Sequence, residues 1–449
     1  MKDIKGARWY KTDLHLHTPE SKCFIDKGVT AAKWVERCIE QGLNCVAVTD
    51  HNTGGYIDEI KDAAQGTNLT VFPGVEVTCS DSKVHILVLF DVDKGTKDVN
   101  HFLARLKLNI DMYGQQDAKV NMGVLDVIKE AQEVGAIAIP AHIDQYSGLC
   151  ETDHATQTSV FTNENVLGVQ AVHDFLYNDE LGQEEELKLL QDLYGEKNIA
   201  LEKAKDWKKT LSLAKRHSLS ILTFSDNPAD ENSSKHGLWG IGQRYTWIKM
   251  SENINIESLR QALLLPESRI RNDFESKEVP YEFPNQWINS IKVRNTEINQ
   301  SEDIFPFNPQ MTTIIGGRGT GKSSILRFIR GCFKYNEDLK EHDEIASEQE
   351  KFFSVYNKNE DSGVLKNDSI IEVTYNRYNT TYKIIASDFN GTSHKNTFQK
   401  WNPETGQYEE ITQQEDDSLL NLFNFDIYSQ KQVYEIAKKP NALRDKMDS

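Results

Sequence analysis

The sequence predicts an α/β protein of two domains: a parallel α/β unit, open sheet or barrel, and a shorter unit opening on a phosphate-binding loop. Three observations carry this. Short β-branched runs alternate with helical patterns through the first 270 of the 449 residues. A polar stretch punctuated by Pro280, Pro284, Pro306 and Pro309 follows over 271–310. The pattern then restarts at "MTTIIGGRGTGKSSILRFIRG". A chain of this length can build two or three separate cores.

Taken in order, the strand-length apolar runs are "CVAVTD" (45–50), "LTVFPGVEV" (69–77), "KVHILVLF" (83–90), "AIAIPAH" (136–142), "VLGVQAV" (166–172) and "SILTFSD" (220–226). Between several of them lie helical patterns such as "TAAKWVERCIEQG" (30–42), with Thr30 placed to cap it, and "VLDVIKEAQEVG" (124–135). Such a rhythm builds a parallel sheet with helices on its faces. Beyond the junction, "SIKVRN" (290–295) predicts a strand, and "DSIIEVTYN" with "TTYKIIASD" predicts a β-hairpin. The acidic runs 337–350 and 412–418 read as solvated loops or helix faces.

Where the strands end matters more than their rhythm. "KTDLHLHTPESKC" (11–23) sets His15 and His17 two residues apart, so that on a strand both rings point the same way. His51, Glu76, His142 and Asp226 close other predicted strands, at the end where parallel α/β proteins carry their chemistry. His85, near the start of its run, could face either way. A mixed set of imidazoles and carboxylates suits Zn, Mn or Fe, whereas calcium wants oxygen ligands alone. Two such ions can stabilise both the attacking and the leaving oxygen of a phosphoester, and Glu76 is a carboxylate able to bridge them.

The motifs "DLHLHTP", "VTDHN", "FPGVEVT", "HILVLF", "PAHID" and "FSDN", in that order, resemble the PHP (polymerase and histidinol phosphatase) family over residues 8–270. That resemblance implies a distorted (β/α)7 barrel over 1–280, two or three divalent metals (Mn, Zn or Fe), and hydrolysis of phosphoesters. It implies His15, His17, His51, Glu76, His142 and Asp226 as catalytic metal ligands, with His85 as a further ligand. The chain departs from the family twice. Pro228 stands where the closing Asp-x-His motif has its histidine, leaving His236 on a long loop, or Asp230, to replace it. Lys22 and Cys23 stand where an acidic residue or histidine often follows the opening pair; Cys23 could bind zinc as a thiolate or simply pack.

"GGRGTGKSS" satisfies the phosphate-loop pattern G-x-x-x-x-G-K-[ST] between an apolar, strand-like run, "TTII", and a helical one. Gly316, Gly317, Gly319, Thr320 and Gly321 would curl backbone N–H groups round phosphate oxygens, with Lys322 on the β/γ-phosphates and Ser323 and Ser324 beside Mg²⁺. "FDIYSQKQVYEI" (425–436) resembles the glutamine loop of SMC- and Rad50-type ABC ATPases, which implies Gln430 as a contact to Mg²⁺ and the γ-phosphate. The whole, 281–449 included, resembles the TrlF-like PHP–ATPase proteins. It implies ATP with Mg as a second cofactor, an SMC-like N-terminal lobe, and a homodimer or higher oligomer formed through ATPase heads. No signature motif follows, and the tail "KKPNALRDKMDS" has no apolar anchor, so the reading predicts a truncated head.

Composition narrows the function classes. With 69 acidic against 51 basic residues the formal charge is −18, which argues against an extended basic surface gripping nucleic acid non-specifically but leaves a nucleic-acid substrate open. No apolar run reaches the length of a membrane span, and the six cysteines form no CxxC pair, which predicts a reduced, cytoplasmic setting without a membrane partner. The expected function is metal-dependent phosphodiester hydrolysis on DNA or RNA, regulated by ATP, in a setting such as anti-phage defence. The alternatives are a phosphatase for a nucleotide or other small phosphoester, and a nucleotide-gated binding module whose metal site has degenerated.

Overall fold

The computed structural model describes residues 6–434 apart from 196–199, 232, 282, 336–338, 340–342, 412–419, 421–424 and 430–431. Gln430 and the acidic run 412–418 therefore lie outside the described residues. The chain divides into two compact units, Gly6–Tyr281 and the chain after Tyr281.

In the first unit, nine strands run β1 (Arg8–Leu16), β2 (Cys45–Val48), β3 (Thr70–Thr78), β4 (His85–Leu89), β5 (Ile137–Pro140), β6 (Gly168–Gln170), β7 (Ser220–Leu222), β8 (Thr246–Met250) and β9 (Ile270–Asn272). Seven of them form one sheet in the order β5-β4-β3-β2-β1-β8-β9. Only β1/β2 and β2/β3 pair in parallel there; β3/β4, β4/β5, β1/β8 and β8/β9 are antiparallel. The all-parallel expectation is thus corrected to a mixed sheet. The reason is local: the link from Thr78 to His85 is a short turn, and a parallel neighbour would need a crossover of roughly a dozen residues. The parallel pair β6/β7 bridges the two edges of this sheet, through Ile143 N to Gln170 O (2.9 Å) at β5 and Asn272 Nδ2 to Ile221 O (3.1 Å) at β9. The result is a curled, distorted barrel.

The expected helices form at Ala31–Glu40, with the Thr30 side chain accepting from Lys33 N, and at Val124–Glu133. Strand alternation sends Val46, Val48, Val75, Val77, Ile86 and Val88 into a core shared with Trp34, Val35 and Cys38 of the first helix. Ala47, Phe72, Leu87, Leu89 and Ile139 face the other way, into a second cluster with Leu259, Ala262 and Leu263 of helix Ile256–Leu263. Glu76 follows the period of Phe72 and Gly74 and so faces inward on this second side.

The second unit carries an antiparallel sheet, order β11-β10-β12-β13-β14-β15, from β10 (Gln286–Arg294), β11 (Glu302–Pro306), β12 (Ile370–Arg377), β13 (Thr380–Asn390), β14 (Ser393–Asn402) and β15 (Gln407–Glu410). The predicted hairpin is β12/β13. Ile325, Phe328, Ile329 and Cys332 of helix Lys322–Cys332 pack on Ile371, Val373, Ile384 and Ala386. The expected strand at "TTII" does not form: residues 311–317 are irregular and exposed. A buried phosphate-loop strand needs neighbours to take its ladder groups, and the described strands of this unit pair among themselves instead. Part of the acidic run becomes helix Asp343–Phe352.

Candidate metal centre

Six of the eight proposed ligands are histidines, and all six converge on the other two, the carboxylates Glu76 and Asp226. Glu76 Oε2 lies 2.7 Å from His51 Nδ1, 3.3 Å from His15 Nε2 and 3.4 Å from His17 Nε2. Its other oxygen, Oε1, lies 2.6 Å from His85 Nδ1 and 3.4 Å from His142 Nε2. Asp226 Oδ1 is 3.0 Å from His17 Nε2, 3.3 Å from His15 Nε2 and 3.6 Å from His236 Nδ1.

The topology explains two of these placements. Antiparallel pairing sets His85 opposite Thr78, so the first residue of β4 arrives at the same end as the last of β3, diagonal to Glu76. His236 reaches back because residues 228–236 close a small loop. Pro228 and His236 bridge, His236 N donates to Cys23 O (3.2 Å) and Ile25 N to His236 O (2.9 Å). Its ring comes to lie 3.8 Å, centroid to centroid, from that of His17. Asp230, the other residue weighed for that place, is exposed.

Each ring is held by its second nitrogen or its backbone. His15 Nδ1 meets Gln170 Oε1 at 2.9 Å, and His17 Nδ1 meets Ser21 Oγ at 3.1 Å, leaving both Nε2 atoms facing the carboxylates. His236 Nδ1 donates to the Asp226 carbonyl at 2.9 Å. Asn227 clamps the backbone of His17 at both N–H (2.6 Å) and C=O (3.1 Å). Beneath them, buried Asp50 accepts from Thr18 and Ser21, and buried Asp13 accepts from Ser225 and from Gly242 N. Burial lifts these two carboxyls to about 6 and about 7 despite their hydrogen bonds. Two of the candidate residues, His142 and Asp226, have left-handed backbone (φ 30° and 49°), a conformation costly for residues with a Cβ.

Gln170, Ser21 and Asn227 were missed in the sequence. A glutamine inside the apolar run "VLGVQAV" was the one available signal, because an amide there must find a buried partner.

The electrostatics call for a cation. Burial opposes ionisation of Glu76, but His51, His85 and His15 hold it far below the usual carboxylate range. Burial likewise opposes the charge on Asp226, and His15 and His17 pull it down. Among the described residues no lysine or arginine pairs with either carboxylate, so ring protons or metal must balance them. His15 is raised to about 9, its burial outweighed by Asp226 and Glu76, whereas burial and the neighbouring His236 and His51 rings push His17 down.

The donor atoms fit divalent ions. Glu76 Oε2, both nitrogens of His51, His142 Nδ1 and His236 Nε2 are buried without hydrogen-bond partners. Orphaned polar atoms at such short separations suit lone pairs that share a divalent ion. Three groupings could each hold one: His15 with His17 and Glu76; His51 with Glu76 and His85; and His17 with His51 and His236. Glu76 serves two of them, as a bridging carboxylate would. Cys23 is half-buried beside His51 and His236; burial raises its thiol, but the two rings bring it down to about 7.

In the second unit Gly316, Gly317, Gly319 and Thr320 are exposed and Gly321 is half-buried. Gly319 and Gly321 have φ of 80° and 84°, values that glycine alone adopts without strain. Lys322 opens the helix, its Nζ folded back on Gly316 O (2.6 Å) and Gly317 O (2.5 Å), with Ser323 and Ser324 in the first turn. A cavity of about 220 Å³ next to Ser323 is lined by Arg327, Arg330, Glu348 and Tyr428.

The family model described as PHP domain matches residues 13–204. No curated protein sequence matches the chain. Among solved structures, the lesion-specific endonuclease from Pyrococcus furiosus is similar at 15% identity and TM-score 0.39, covering 59% of this chain and 57% of its own. This chain thus spans little more than half of that endonuclease. A two-domain protein from Bacteroides vulgatus, containing a predicted PHP-like metal-dependent phosphoesterase, is similar at 13% identity and TM-score 0.37 over 92% of this chain and 97% of its own. An amidohydrolase from Chromobacterium violaceum is similar at 16% identity and TM-score 0.29 over 58% of this chain and 97% of its own. Likeness at this level carries no argument about substrate.

Proposed function

We propose that this chain, whose residues 13–204 match the PHP domain family, is a metal-dependent phosphodiesterase acting on nucleic acid. The observation that carries the reading is the convergence of six histidine rings and two carboxylates on one point, with buried donor atoms left unpartnered. His15, His17, Glu76 and Asp226 would hold one ion, and Glu76, His51, His85 and His142 a second. Divalent ions held there supply Lewis-acid stabilisation of a phosphoryl group and lower the pKa of water.

The chain's own residues do the positioning. Gln170 and Ser21 fix the tautomers of His15 and His17, so that each presents Nε2 to the ions. Asn227 sets the His17 backbone against the segment carrying Asp226. The Asp226 side chain is 34% exposed while Glu76 and both opening histidines are sealed, so substrate would enter over Asp226. The net charge of −18 argues against a broad basic face, and a polyanion would be drawn by the ions themselves.

A regulatory role for the second unit rests on the loop 316–324. Its two left-handed glycines and its lysine at the helix start suit an ATP·Mg site. The SMC-like resemblance around that loop is the ground for choosing nucleic acid over a small phosphoester, and it is a fold-level analogy.

The test is a hydrolysis panel on the metal-loaded chain: a chromogenic phosphodiester, single- and double-stranded DNA, RNA and a nucleoside monophosphate, each with Mn²⁺ or Zn²⁺. Cleavage of diesters and at least one polymer supports the reading. Monoester cleavage alone would replace it with a phosphatase, and inactivity of a fully loaded protein would replace it with a binding module.

A further inference from the structure

We infer that Gly148 is a positioning residue for the metal-dependent chemistry. Its missing side chain lets the loop 142–148 close on itself, and the closed loop aims His85 and His142 together at Glu76 Oε1. Resting on the metal-dependent reading above, this deepens it by tying one of the two ion positions that share Glu76 to a single loop.

The loop leaves β5 after Ala141 and turns back at once. Gln145 N donates to His142 O (3.1 Å), Gly148 N to Gln145 O (3.0 Å) and Cys150 N to Ile143 O (3.1 Å). Gly148 is buried, with φ −88° and ψ 173°, a backbone open to any residue. What it has no room for is a side chain. A Cβ there would overlap His142 O and lie 2.8 Å from Gln145 O, both of them backbone atoms held in the turn. Any residue but glycine therefore has to push open the turn that begins at His142.

The turn matters because it holds two candidate ligands at once. His142 begins it with left-handed backbone (φ 30°), and its Nε2 lies 3.4 Å from Glu76 Oε1. Near its other end Ser147, also left-handed (φ 59°), offers its carbonyl to His85 N at 2.9 Å. His85 O in turn accepts from Ala141 N (3.1 Å), so both backbone groups of His85 are tied to the segment that carries His142. His85 Nδ1 meets the same carboxylate oxygen at 2.6 Å. His15 and His17 take their hold from Gln170 on β6 and from Ser21 and Asn227, none of them in the loop.

Opening the turn should thus weaken the position formed by Glu76, His51, His85 and His142. It should spare the one formed by His15, His17, Glu76 and Asp226. That selectivity separates positioning from a general loss of stability, which would act on both.

The test loads the full chain with Mn²⁺ and reads bound metal and electron paramagnetic resonance, with circular dichroism to check each fold. The wild type should show the exchange-coupled signal of two ions bridged by one carboxylate. Gly148→Ala should lose one ion and the coupling, keep an isolated ion, and bind the lost one roughly 10–100-fold more weakly. Ser147→Pro, whose ring fixes φ at about −65°, opens the same turn from its other end and should do likewise. Gly135→Ala, at an exposed left-handed glycine with open space around its Cβ, should keep the coupled pair. In the wild type, hydrogen–deuterium exchange over 142–150 should be equally slow with and without Mn²⁺, because fit rather than an ion closes the loop. A folded Gly148→Ala that keeps the pair, one that loses every ion, or a Gly135→Ala that loses the pair as well would overturn the role of Gly148. So would a loop protected only when metal is bound. A wild type without a coupled pair would instead overturn the two-ion reading beneath it, and this role with it.

Discussion

Glu76 Oε2 lies 2.7 Å from His51 Nδ1, and neither atom has a hydrogen-bond partner. Two buried polar atoms this close, with no hydrogen bond between them, are placed to share a cation. Replacing Glu76 by Gln keeps the shape and removes the charge shared by two ligand groupings. Phosphodiester hydrolysis should fall by more than the ~10–100-fold typical of losing an outer-shell partner. Steady-state rates with saturating Mn²⁺ check this, with thermal melting as the control for fold.

Gln170 touches no ion, yet its Oε1 meets His15 Nδ1 at 2.9 Å and accepts from His142 N at 3.3 Å. Gln170→Ala frees one ligand ring and loosens the backbone of another. Metal affinity should drop on the order of 10–100-fold while the fold persists. Competition with a chromogenic chelator measures it, and an unchanged affinity would show that His15 is held by packing alone.

Asp144 is buried and accepts from Val172 N (2.9 Å), His173 N (3.0 Å) and His173 Nδ1 (3.2 Å). Burial raises its pKa, but the bonds from His173 and Val172 outweigh it and leave the carboxyl below its ordinary value. A depressed folded pKa contributes stability that is present above the unfolded value of ~3.9 and lost as pH falls through the folded one. Asp144→Asn should cost about 1–3 kcal/mol near neutral pH. The gap in melting temperature between the two proteins should narrow as pH falls below ~4; a gap that widens would reverse the sign argued here.

Lys322 Nζ rests on two loop carbonyls, a place from which it can swing to a phosphate. Lys322→Ala should weaken ATP·Mg binding by about 1.5–3 kcal/mol, roughly 10–150-fold in Kd. Calorimetry measures that, and the metal content of the first unit should not change.

Local pattern made much of this legible. The spacing of His15 and His17 and the strand ends at His51 and Glu76 follow from a period of two and from apolar runs that stop at polar residues. Strand direction was not legible, because a buried antiparallel strand such as β4 reads like a parallel one. That is why His85 stayed ambiguous until its register against Thr78 put it beside Glu76. His236 depended on a ten-residue return that no periodicity announces. The supporting contacts of Gln170 and Asn227 span 155 and 210 residues, distances at which only the folded chain brings partners together. "TTII" failed for the opposite reason: its composition favours a strand, but no neighbour in the described sheet takes its ladder groups.

The most direct test of the central claim is the metal content of the purified chain. Wild type and Glu76→Gln would be incubated with Zn²⁺ or Mn²⁺, desalted, and measured by inductively coupled plasma mass spectrometry. The three ligand groupings, two of them sharing Glu76, predict two or three ions per wild-type chain and a loss of at least one in the variant. A folded wild type that retains less than one ion, or a variant that retains as many as the wild type, would contradict the account.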